Sequence, residues 1–160
     1  MTLIQGIIGS IIAAGIVALL VAGYQGRFGQ RIRITDPQAH GFLTAAEMRP
    51  GVMKHVVSGT LKHLPKDHRI WLLVLDKSGR AWPQGLATVE YDKTKGTWKG
   101  FINAMGSHEV NIVAVIAPPT SQDYFEYFER MGRDFKTGYQ PIARVPPECK
   151  KRDSIQAKVP

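Results

Sequence analysis

The side chains that could carry chemistry in this chain are few, and their spacing does not favour it. His55, His63 and His68 lie close together, but taken as a set their spacings of eight and five match no common zinc site. They read as solvated loop histidines. The single cysteine, Cys149, stands in PPECKKR beside three cations that would lower its pKa and favour the thiolate. With no base or orienting group beside it, it reads as a free structural or tail thiol. Glu126 and Glu129 are spaced close to one helical turn, yet they share their face with Arg130 and Arg133, the ordinary makeup of a solvated helix surface. There is no phosphate-cradling glycine loop, nucleophile elbow or paired-cysteine metal signature. The sequence therefore predicts no catalytic residue, no metal and no cofactor, and a protein that is not an enzyme.

Binding is better supported. Lys54, Lys62, Lys66 and Arg69 face only Asp67 in their segment, and the three histidines there gain charge below about pH 6.5. Together with Arg80, Trp82 and Gln84 they form a possible ligand surface, cations beside an aromatic ring as in nucleotide binders. No nucleic-acid motif accompanies them, so no specific nucleic acid is expected as a partner. Attraction to lipid or to an acidic subunit explains the same charge.

The elements that must position these residues begin with Leu3 to Tyr24, LIQGIIGSIIAAGIVALLVAGY, which carries no charged side chain. About 22 residues rising about 1.5 Å each reach roughly 33 Å, a match to a hydrocarbon core of about 30 Å, and the stretch reads as a transmembrane helix spanning 1–24. A cleaved signal peptide would have a basic start and a shorter apolar core, and neither is present. Gly6, Ser10, Ala14, Ala18 and Ala22 recur every four residues and form a small-residue stripe, the kind of face on which another membrane helix packs. Arg27, Arg31 and Arg33 follow in a basic connector, 25–38, available to lipid phosphates or another anionic partner. By the positive-inside rule the amino terminus faces outward and the rest of the chain faces the cytoplasm, which places the protein in the inner (cytoplasmic) membrane.

The whole net charge of +8 follows residue 24, and about 135 residues remain there, enough for one domain. The turn signals predict a mainly β domain over 39–147 and a basic tail or last strand over 148–160. Arg31 to Ile34 alternates as a first edge strand. A capping box from Thr44 to Glu47 predicts a short helix stopped at Pro50-Gly51. Val52 to Leu61 reads as a strand interrupted at Ser58-Gly59. IWLLVL at Ile70 to Leu75 and VNIVAVIA at Val110 to Ala117 read as central strands, with hairpin loops at Asp76–Gly79 and Asp92–Gly96. One amphipathic helix follows Pro118-Pro119, with Tyr124, Phe125, Phe128, Met131 and Phe135 facing a core.

Gly59 to Pro65, IWLLV at Ile70 to Val74, WPQG at Trp82 to Gly85, WKG at Trp98 to Gly100 and IVAVIAP at Ile112 to Pro118 together resemble bacterial immunoglobulin-like sandwich modules. That resemblance covers residues 32–160 and implies an antiparallel two-sheet sandwich with Trp71 in its core, and no active-site residues. The cysteine pair of antibody domains is absent. The expected function is a non-enzymatic, single-pass accessory or scaffolding subunit, with lipid and other integral membrane subunits or a second copy of itself as partners. The alternative expectation is a membrane-tethered sensor whose sandwich binds an anionic ligand such as a cyclic nucleotide.

Overall fold

The computed structural model describes residues 31–49, 52–84, 89–103, 109–134, 140–150 and 152–160. The apolar stretch from Leu3 to Tyr24, its small-residue stripe at Gly6, Ser10, Ala14, Ala18 and Ala22, and Arg27 lie outside them. Among the described residues no helix is long and apolar enough to cross a membrane.

The described chain is mainly β, in two antiparallel sheets with one helix. The first sheet contains β1 (Ile32–Asp36), β2 (Thr44–Arg49), β3 (Val52–Leu61), β6 (Val89–Asp92) and β7 (Thr97–Ile102), ordered β1-β3-β7-β6. Strand β2 pairs with the first half of β3 (Thr44 with Val56, Ala46 with Lys54) and β1 with the second half (Ile32 with Leu61, Ile34 with Gly59). The second sheet contains β4 (Arg69–Leu75), β5 (Ala81–Pro83), β8 (Glu109–Ala117) and β9 (Arg152–Lys158), ordered β5-β4-β8-β9. The helix α1 spans Pro119–Asp134.

Alternation along the strands decides the layers. Val57, Leu61, Trp98 and Ile102 of the first sheet pack on Ile70, Leu72, Ile112, Ala114 and Ile116 of the second, forming the core between the sheets. The opposite face of the second sheet carries Trp71, Leu73, Val113, Val115 and Ala117, and it is covered in turn by Phe125, Ile142 and Cys149. Central strands buried on both faces lose any need for a polar alternate residue, which is why IWLLVL and the IVAVIA run of Ile112 to Ala117 are continuously apolar. Trp71 is fully buried as expected, but beneath α1, with the Phe125 ring centroid 5.0 Å away, while Trp98 is the tryptophan between the sheets.

Three further expectations are corrected. Thr44–Arg49 is strand and not helix, because pairing with β3 outweighs the weak local capping signal. Strand β3 is continuous through Ser58 and Gly59. On α1, Phe125 and Phe128 face the core as expected, but Tyr124 is 40% exposed, and among the described residues the buried positions also include Ser121 and Gln122. The packed face is thus rotated toward the amino-terminal turn, where Gln122 Nε2 donates to the carbonyls of Asp67 (2.7 Å) and Ala117 (3.0 Å). Phe135 lies outside the described residues.

The two sheets are joined along one side. The Ile34 N–H on the free edge of β1 donates to the Asp153 carboxylate of β9 over 2.8 Å. Between β1 and β2 the chain crosses to the outer edge of β9, where His40 N–H donates to Gln156 O (2.6 Å), and Leu43 N–H and Lys158 N–H exchange bonds with Lys158 O and Gly41 O (2.8 Å each).

Candidate functional site

The possible ligand surface of Lys54, Lys62, Lys66, Arg69, Arg80, Trp82 and Gln84 is divided by the fold. Strand β4 begins at Arg69 and carries the chain away from the end that holds Lys62 and Lys66. Trp82 pairs with Val74, five residues further along β4, which is roughly 17 Å at about 3.3 Å per residue. Arg69 is engaged by Glu126 of α1, Nη1 to Oε1 3.9 Å. Arg80 stacks over Trp82 at 5.5 Å and pairs with Asp76, Nη2 to Oδ2 2.8 Å. Gln84 is used internally, Nε2 donating to Trp82 O and Oε1 accepting from the Asn103 N–H at 2.8 Å. Lys54 sits half-buried on β3 opposite Ala46.

The Asp76 hairpin holds itself closed. Asp76 Oδ1 accepts from the Ser78 hydroxyl (2.7 Å) and from the Ser78 and Arg80 N–H groups (2.9 Å each). These bonds, the Ser78 hydroxyl foremost and Arg80 after it, bring the Asp76 carboxyl down from 3.8 to about 2.

What the fold does assemble is a basic groove of about 420 Å³, lined by Arg31, Arg33, Thr60, Lys62, Lys93, Thr94, Lys95 and Gly96. Arg31 and Arg33 come from the start of β1, Thr60 and Lys62 from the end of β3, and the rest from the β6–β7 hairpin. In β1 the alternation turns Ile32 into the core, 2% exposed, and leaves both arginines exposed. Thr60 lies directly across from Arg33.

The hairpin is fixed onto β3 by bonds to Leu61, whose N–H donates to Gly96 O (2.8 Å) and whose carbonyl accepts from Tyr91 Oη (3.1 Å). Gly96 takes a φ of +64°, and an added Cβ would press on Leu61 O at 3.2 Å. The Asp92 carboxylate turns inward to accept the N–H groups of Thr94 (2.9 Å) and Lys95 (3.1 Å). Those backbone bonds, the one from Lys95 first, hold its carboxyl below the ordinary carboxylate value. Of the five groove cations, only Lys95 has a carboxylate within ion-pair reach among the described residues, Asp92 at 3.5 Å.

Sequence reasoning found Arg31, Arg33 and Lys62 but took Lys93 and Lys95 only as hairpin loop. Three cations in seven residues, Lys93, Lys95 and Lys99, were the available signal. The histidines do not converge: His55 lies on β3 and not in a loop, its Nδ1 buried without a hydrogen-bond partner, while His68 Nδ1 meets Lys66 O at 2.9 Å. No cluster of three metal-ligating side chains occurs among the described residues. Cys149 is 2% exposed, and burial, the largest influence, pushes its thiol up, opposite to the lowering expected from its cationic neighbours.

Compared with family models, with curated proteins and with solved structures, the chain matches none.

Proposed function

We propose that the protein is a non-enzymatic, single-pass accessory subunit of a larger assembly in the inner (cytoplasmic) membrane. In this reading Leu3 to Tyr24 is the anchor, and its stripe of Gly6, Ser10, Ala14, Ala18 and Ala22 packs on an integral subunit or on a second copy. The two-sheet fold is an immunoglobulin-like module held on the cytoplasmic side, with Arg27, Arg31 and Arg33 beside the lipid surface. The observation that carries this is where the positive charge gathers: the basic groove is built at the end of the fold where the chain enters β1, only a few residues beyond the apolar stretch.

The reading as a sensor of a nucleotide-like ligand is weaker on one observation. Trp82, the aromatic ring such a ligand would stack on, is on β5, paired with Val74 toward the far end of β4, and does not line the groove.

Extraction in mild detergent tests the proposal. Recovery in fixed stoichiometry with other integral subunits is the expected result, and recovery alone, as a homo-oligomer whose size changes with cyclic nucleotide, would refute it. Ala14→Ile should break the assembly in either arrangement, and an unchanged complex would remove the helix stripe from the reading.

A further inference from the structure

We propose that the groove between β1, the end of β3 and the β6–β7 hairpin is a binding site for the phosphate of an anionic lipid headgroup. The inference rests on the membrane-anchored reading above and adds a defined site to it.

Three observations converge. Five cations from three separate segments line one recess, so the charge is focused there and not spread along a solvated face. Arg31, Arg33, Lys62 and Lys93 have no carboxylate within 4 Å among the described residues, and Asp92, which pairs with Lys95, is turned into its own hairpin by two backbone N–H groups. Thr60 and Thr94 line the same recess, residues whose hydroxyls are neutral donors suited to phosphate oxygens, while no aromatic residue lines it to stack on a base.

Position selects a lipid over a soluble anion. Arg31 follows Tyr24 by seven residues, and a chain of that length reaches at most roughly 25 Å. The groove is therefore tethered within one short linker of the apolar stretch. The hairpin is held as a wall, because bonds from Tyr91 and Asp92 of β6 and from Gly96 in the turn fix it onto Leu61 and onto itself.

The test uses the full chain in lipid nanodiscs, with acetylation rates of individual lysines read by mass spectrometry. In discs of phosphatidylcholine containing phosphatidic acid, Lys62, Lys93 and Lys95 should be acetylated about fivefold more slowly than in pure phosphatidylcholine, while Lys77, in the Asp76 hairpin, should be unchanged. The double variant Lys93→Gln, Lys95→Gln should keep the wild-type melting temperature and lose the protection of Lys62. Equal rates in both discs would overturn the site. Equal protection by inorganic phosphate in neutral discs would overturn the lipid assignment in favour of a soluble phosphate ligand. A chain that does not enter discs at all refutes the anchored reading, and this inference with it; a chain that enters with its groove lysines unprotected refutes the site alone.

Discussion

The indole of Trp98 lies against the bare α-carbon of Gly59, the residue directly across from it on β3. A methyl group built at Gly59 would strike the Trp98 ring, with Cζ2 at 2.5 Å, and would also strike the Arg33 carbonyl of β1. The indole Nε1 donates to the neighbouring Thr60 carbonyl at 3.3 Å, so the ring has little freedom to retreat. Gly59→Ala should therefore cost about 3 kcal/mol, at the upper end for overpacking. Thermal denaturation of the purified full chain checks this, and a melting temperature within a degree or so of wild type would contradict the steric reading.

Between the two sheets, Asp153 accepts the N–H of Ile34 across 2.8 Å. Asp153→Ala leaves that half-buried N–H without its acceptor and should lose roughly 2 kcal/mol, whereas Asp153→Asn, which keeps an acceptor oxygen, should lose less. Chemical denaturation of the three proteins gives the ranking, and equal loss for both variants would mean that the carboxylate acts through charge and not through this bond.

Acid should reveal the Asp76 hairpin. The carboxyl titrates at about 2 in the fold against an ordinary 3.8. A carboxyl lowered by folding adds stability that is fully present above its ordinary pKa and is lost as the pH falls through the folded value. Asp76→Asn should thus be slightly less stable than wild type at about pH 6, with the gap closing between about pH 4 and pH 2. Melting curves across that range test the sign, and a gap that widens on acidification would disprove it.

Cys149 should behave as a masked thiol. Burial raises its pKa and closes it to solvent, so a thiol reagent at neutral pH should react at least about tenfold more slowly with the folded chain than with the chain in strong denaturant. Rapid labelling of the native protein would instead restore the picture of an exposed tail.

Beneath α1, Phe125 is fully buried against Trp71. Phe125→Ala should cost about 3 to 5 kcal/mol by opening a cavity. Tyr127→Ala, on a ring 53% exposed, should cost far less, and calorimetry of the two variants separates the packed face of the helix from its outer face.

The parts of this fold that could be read from the sequence are those whose burial leaves a local trace. Ile70 to Leu75 and Ile112 to Ala117 are apolar on both faces because they are sandwiched between the first sheet and the layer that holds α1, and a run of that kind is visible without knowing its partners. Strand β2 left no such trace. Ala45 and Ala46 fit a helix as well as a strand, and the choice was made by β3, which the local pattern does not contain. The groove was half legible for the same reason. Arg31, Arg33 and Lys62 stand out as basic residues, but Lys93 and Lys95 join them only because the hairpin docks on Leu61, about 30 residues earlier in the chain. The converse error joined Trp82 to Lys62, which are neighbours along the sequence with the length of β4 between them.

Strand β9 is the last described strand to be synthesised, yet it supplies the outer partner of β8, the carbonyls that hold residues 40 and 43, and the acceptor for Ile34. The first described strand thus waits for the last described one before its open edge is satisfied. Until Arg152–Lys158 has left the ribosome, the apolar edge of β8 stays bare on a growing polypeptide. A chain shortened before Arg152 would keep that edge open, a strand-length template on which a second polypeptide could pair.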